Sequence, residues 1–369
     1  MRFNSAFVVC SLLFFIIAGV LSCGNKDVPV IVEPNKPVTV VSVSTPPNLQ
    51  NIVNDPVWAT IDSVSVVCGE KPAFSNAFGI LCVNTKAITD GNNVYMRFTW
   101  IDYKKDVRPG YWVNERCEGC TVWSQDLDTA GILLLPQPIG LLRPYEQSKQ
   151  RWENEDVLAL FFDMGGNGGE GANCATTCHF PDTNSVGWSH WTTGGGTIDA
   201  WVWRAGRTNP VGLADDQVWG GFDATNRNDS YTVEIYQRNG RSSNDITDPK
   251  WMHKDGPRND IDFLYANDIS LDLDPIDYLG WNKLDGIPGY AIDSGWQRGA
   301  ETSRYDVRAA SQYDDASKKW TVVLWRRLGA PHTGEDVNFE AGKEISCTMA
   351  IMDHTNRRHS GSQVFKFKF

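Results

Sequence analysis

Basic character is what this sequence has least of. Its 369 residues carry 34 Lys+Arg against 45 Asp+Glu, a formal net charge of −11 spread along the chain without a basic run. That balance argues against nucleic acid as a partner, because phosphate binding needs a concentrated basic face. A nucleotide loop is missing too: residues 165–171 are glycine-rich, but no Lys-Ser/Thr follows to hold phosphate. Histidine is scarce, with six in the chain, and no Ser-His-Asp or Cys-His nucleophile arrangement is evident. Amphipathic helical periodicity is equally sparse while turn residues recur, so the chain is expected to be built from strands.

What is present begins with an export signal. Arg2 supplies the positive start, and Ala6 to Leu21 form an uncharged apolar run that is short for a membrane span. The run ends in Val20-Leu21-Ser22-Cys23, which resembles the lipobox of bacterial lipoproteins, so Cys23 is the expected lipidation site. Gly24, rather than Asp, follows it, which by resemblance to enterobacterial sorting rules favours the outer membrane. Residues 1–22 are then the signal peptide. Residues 23–50, with Pro29, Pro34, Pro37, Pro46 and Pro47, read as a lipidated N-terminus and tether, and 51–369 as one folded domain.

Export places the chain where disulfides form. Cys174-Ala-Thr-Thr-Cys178-His179 is then the most informative stretch. Two thiolates can each add to a porphyrin vinyl group, and the adjacent histidine is held beneath the iron as proximal ligand. The spacing is CxxxCH rather than the commoner CxxCH, and its small intervening side chains allow the loop to bulge. One covalent haem c is the cofactor expected. Of the other cysteines, Cys68 and Cys82 flank a short loop that a disulfide would close. Cys117-Glu-Gly-Cys120 lacks a following histidine and reads as a tight disulfide or a surface loop, and Cys347 is expected to be buried in a strand.

The strand pattern is clearest around Asp90-Gly91, a hairpin turn between residues 80–88 and 93–100. Val94, Met96, Phe98 and Trp100 alternate with Tyr95, Arg97 and Thr99, giving one buried face. Further strands are expected at 157–164, 197–203, 230–236, 319–326, 344–352 and 363–369. The fold class expected is all-β, an antiparallel β-sandwich with long loop insertions at 104–150, 165–196 and 237–300. Trp201 and Trp203 share a strand face and either pack on a porphyrin or serve the core. Arg204 and Arg207 are candidates to pair with haem propionates or to end the strand in solvent. The acids at 272–277 are better read as a solvated loop than as a calcium site.

Several segments together resemble one family, the ethylbenzene dehydrogenase-related, dimethylsulfoxide reductase-like haem-binding domain, a sandwich akin to family 9 carbohydrate-binding modules and DOMON domains. They are Asn54-Asp55-Pro56-Val57-Trp58, the run from Asp90 to Trp100, Arg151 to Asp156, Asp199 to Arg204, and Trp320 to Leu324 with Phe339 to Lys343. In the family's molybdenum-enzyme subunits a b-type haem is held by a methionine and a lysine. The resemblance implies that His179 replaces the methionine and that His359, in Arg358-His359-Ser360-Gly361-Ser362, takes the lysine's place as distal ligand. His354, Met252 and His253 are the alternatives.

Together these readings describe a membrane-anchored monohaem c-type cytochrome that carries single electrons in the bacterial envelope. It would be an electron carrier rather than an enzyme, with envelope redox proteins and the bilayer as partners. Two other readings stand beside it: a haem subunit of a molybdenum oxidoreductase, and a colourless carbohydrate-binding lipoprotein using Trp188, Trp191, Trp201, Trp203 and Trp219 as a stacking platform.

Overall fold

The computed structural model describes residues 36–69, 81–110, 112–117, 120–125, 155–164, 180–181, 188–189, 197–220, 236–239, 249–255, 262–265, 269–270, 286–287, 289–292, 303–353 and 360–369. Twelve strands form one curled sheet that folds over itself as a sandwich. They are β1 (Val38–Ser42), β2 (Val64–Cys68), β3 (Leu81–Thr89), β4 (Asn93–Ile101), β5 (Val157–Asp163), β6 (Thr197–Arg204), β7 (Asp215–Gly220), β8 (Arg308–Asp314), β9 (Lys319–Arg327), β10 (Glu344–Met352), β11 (Ser360–Gly361) and β12 (Phe365–Lys368). The hydrogen-bonded order is β7-β6-β5-β10-β12-β1-β3-β4-β9-β8, with β2 on β3 and β11 on β10. Among the described residues the helical segments are short 3-10 turns, such as Pro56–Thr60.

Alternation of side chains builds the core. Val94, Met96, Phe98 and Trp100 of β4, Trp320, Val322 and Leu324 of β9, and Leu158, Leu160 and Phe162 of β5 all enter one buried apolar cluster. Trp100, Trp203 and Trp320 meet there at ring separations of 6.2, 5.2 and 6.5 Å, so large aromatic surfaces knit the two halves of the sandwich. The β3–β4 turn forms as its sequence demands. Asp90 Oδ1 accepts the backbone N–H groups of Asn92 and Asn93 at 2.8 and 2.7 Å, and Gly91 takes a φ of +88° that side chains resist. Asp55 caps the turn before Trp58 by accepting from Val57 N at 3.0 Å. The buried indole of Trp58 joins Ile88, Tyr95 and Val323 on the outer side of the β3–β4–β9 half.

Several expectations need correcting. The segment from 36 to 50 belongs to the fold rather than to a tether. Val38 pairs with Phe367 of β12 and Val40 with Ala87 of β3, both in parallel, so β1 closes the two halves onto each other. Its Val38 and Val40 side chains are buried in the shared core, which outweighs the proline-rich composition around them. Strands β2, β7 and β8 were not anticipated. The strand expected at 230–236 is found at Tyr236–Arg238, and residues 230–235 lie outside the described ones. Cys68 is not the disulfide partner of Cys82: Cys82 is disulfide-bonded while Cys68 is a buried thiol, paired in register with Leu81. Cys347 does lie buried in a strand, β10. Cys117 and Cys120 face each other in register across a hairpin.

A chain truncated to begin at residue 44 should lose the cooperative thermal unfolding transition that a chain beginning at residue 36 keeps, as read by circular dichroism. Val38→Asp should cost about 3 kcal/mol or more in urea denaturation, because it puts an unpaired charge where a valine packs.

Candidate functional site

Strands β5, β6 and β10 bury both faces. Toward the other half of the sandwich they present Leu160, Trp201 and Met349. On the opposite face Val157, Ala159, Phe161, Ile198, Ala200, Val202, Ala350 and Met352 form a second apolar cluster, each at most 9% exposed. Arg204 stands at the margin of that second face by strand alternation. Its Nε and Nη1 are buried and have no hydrogen-bond partner. A guanidinium with buried unmet donors beside an apolar face is chemically set up to receive an anion carried on an apolar body.

Arg207 is differently placed. Its Nε donates to Glu155 Oε2 at 2.7 Å and its Nη2 to the same oxygen, and the guanidinium lies 5.2 Å from the Tyr236 ring centroid. Glu155 Oε1 accepts Gly206 N at 3.0 Å, completing a buried lock. A Cβ on Gly206 would lie 2.5 Å from Pro109 Cδ and from the Val107 carbonyl, so only glycine fits this crossing. Trp201 and Trp203 are fully buried in the inter-half core, the packing role of the two read from the sequence. Trp203 donates from Nε1 to Asn209 Oδ1 at 3.1 Å.

Cys174, Cys178, His179, His354 and His359 lie outside the described residues, as does Cys23, but the ends of the segments that carry them are fixed. Asp163 pairs with Ile198, so the segment bearing Cys174 to His179 joins β5 and β6 at that end of the sheet. Arg204 pairs with Val157, and Val157 with Met352, at the other end. Ile351 pairs with Ser360, so the stretch holding His354 and His359 spans the hairpin beside Arg204. Six strand steps, about 20 Å, separate the two ends.

Met252 and His253 form a short ladder with Ile269–Ser270. His253 Nδ1 accepts Asp255 N at 3.1 Å. The same Nδ1 stands 3.5 Å from Asp255 Oδ2.

Sequence reading missed the buried ionic groups. Arg326 continues the inward row of Trp320, Val322 and Leu324, and its Nη1 donates to Asp199 Oδ2 at 2.7 Å. Its Nη2 donates to Val337 O at 2.6 Å, while its guanidinium lies 5.1 Å from Trp201 and 4.9 Å from Phe339. Asp216 and Asp336 complete this group. Arg304 similarly holds Asp215, Nε to Oδ1 at 2.6 Å. A second acidic group lies near the end of β4. Asp156 Oδ2 accepts Trp320 Nε1 at 2.9 Å and Asp106 N at 2.8 Å, and carboxylate oxygens of Asp102, Asp156 and Asp353 lie within 4.8 Å of one another. The signal that could have found them is charge at inward positions of strands, as at Asp199 and Arg326.

The family model for ethylbenzene dehydrogenase matches residues 55–363 of this chain. No curated protein matches it. Among the solved structures that match is a candidate carbohydrate-binding protein from Bacteroides uniformis, 7% identical, with a TM-score of 0.33, covering 90% of this chain and 100% of its own.

Burial, and then the charges of Asp353 and Asp106, push Asp102 up to about 7. A carboxyl raised in the folded state stabilises the fold fully below its unfolded pKa, and that contribution is lost as pH rises toward the folded value. Stability should therefore fall between about pH 4 and pH 7, and Asp102→Asn should flatten the slope in urea denaturation read across that range. A slope unchanged by the substitution would remove Asp102 as its source.

Proposed function

This chain belongs to the ethylbenzene dehydrogenase family, and from that premise we propose that it is a lipid-anchored monohaem c-type cytochrome of the cell envelope. The observation that carries the reading is the CxxxCH stretch, Cys174 to His179, on the segment joining β5 and β6. Cys174 and Cys178 would bind the haem covalently and His179 would be its proximal ligand. His359 would supply the distal ligand, with His354, Met252 and His253 as alternatives. When bound, the haem supplies one-electron oxidation and reduction.

The chain's own residues suit that group. Arg204 brings buried donors without partners, the requirement of a propionate carboxylate. Arg207 has its guanidinium committed to Glu155 and is the weaker propionate candidate. Val157, Ala159, Val202 and Met352 form an apolar face next to Arg204 that would exclude water. From Met164 to His179 fifteen residues can extend about 50 Å, ample to carry a ligand across the 20 Å between the strand ends. Ligation by two histidines leaves no open iron position, which suits electron transfer rather than catalysis. Cys23 would hold the protein at a membrane, facing redox partners of the envelope, and the outer membrane is the expected address. Association with a molybdenum oxidoreductase would use the same residues.

The carbohydrate reading has less support. Trp201 and Trp203 are fully buried, so a sugar platform would rest on Trp188, Trp191 and Trp219.

Expression in a host with cytochrome c maturation should yield protein whose colour survives a denaturing gel and whose pyridine haemochrome spectrum reports one haem c. Cys174→Ala with Cys178→Ala should abolish the covalent colour, and matured protein that is colourless would sink the reading. His359→Met should shift the visible and near-infrared ligand bands, and an unchanged spectrum would reassign the distal position. Arg204→Gln should lower the reduction potential, because a nearby cation favours the form carrying the extra electron.

A further inference from the structure

We propose that Asp199, Asp216 and Asp336 form a calcium site inside the sandwich, apart from the haem site and independent of it. One carboxylate oxygen from each lies within 4.8 Å of the others, and all three residues are buried. Acidic residues in proximity do not by themselves make a site. What points to a ligand here is Asp216, which is fully buried while neither of its carboxylate oxygens has a hydrogen-bond partner. Asp199 Oδ1 and Asp336 Oδ1 are buried without hydrogen bonds as well.

The charges close only with an added cation or with a proton held on Asp216, which burial and the neighbouring Asp199 favour. Arg326 is the cation within the group, its Nη1 standing 2.7 Å from Asp199, 3.2 Å from Asp336 and 3.7 Å from Asp216. Ionised together, three carboxylates against one guanidinium would leave two negative charges in a dry interior, where each uncompensated charge is costly. A divalent cation cancels both at once.

Donor chemistry chooses the ion. All the ligand atoms are carboxylate oxygens, which suit hard cations rather than zinc or copper. Calcium accepts six to eight oxygens in flexible geometry, whereas magnesium demands a near-ideal octahedron and keeps its waters, so carboxylates gathered in a dry interior suit the larger ion. The three carboxylates come from different parts of the chain: Asp199 from β6, Asp216 from β7, and Asp336 from the loop after β9. A bound ion would join the edge of one half of the sandwich to the other, stabilising the fold rather than performing chemistry.

The test uses the exported, matured full chain. After treatment with EGTA, calcium chloride should raise Tm by about 3 °C or more, magnesium chloride should do so less, and one calcium per chain should register in isothermal titration. Asp216→Asn keeps the shape and removes one charge. It should abolish the calcium-dependent rise while leaving the EGTA-treated Tm equal to or above that of the unsubstituted chain. Equal Tm in calcium and EGTA would overturn the proposal, and so would calcium binding that survives Asp216→Asn, since the ion would then sit elsewhere. None of these readouts depends on haem, so they separate this site from the function proposed above.

Discussion

The guanidinium of Arg326 is the constraint around which the sandwich is arranged. It enters the core from β9, donates to Asp199 on β6, and donates to the Val337 carbonyl after β9. The rings of Trp201 and Phe339 flank it. An arginine in an apolar interior is tolerated only when its charge is opposed, and here Nη1 and Nη2 find acceptors on different elements, so both halves must hold one relative position. The core aromatics accept that position: Phe162, Trp201 and Phe339 pack at 4.8, 5.3 and 5.6 Å around the same spot.

How much of this was legible in the sequence depended on whether apolar alternation was uninterrupted. β4, β5, β6, β9 and β10 could be placed to within a residue or so, because apolar residues recur at every second position or run continuously through them. β7 was invisible for a physical reason. Asp215-Asp216-Gln217 reads as solvent-exposed chain, and only Arg304 and Arg326, some ninety or more positions away, make its burial tolerable. β1 was hidden by composition, since prolines on both sides suggested an extended spacer while two valines decided the outcome.

The candidate site was legible in a different way. A short cysteine and histidine motif suggests a chemistry without any fold, whereas the groups proposed to receive the cofactor do not. Arg204 and Arg207 looked equivalent from their positions, and packing separates them: one is locked to Glu155, and the other has donors with nothing to meet. Trp201 and Trp203 likewise had two readings on strand alternation alone, and both turn out to lie in the inter-half core.

The parallel pairing of β1 with β12 joins residue 38 to residue 367, nearly the whole length of the polypeptide. The sheet therefore cannot close until the last strand has been made, which makes this a fold of high contact order. Topology thus makes the joining of the two chain ends the closing event of folding, whatever local hairpins form before it.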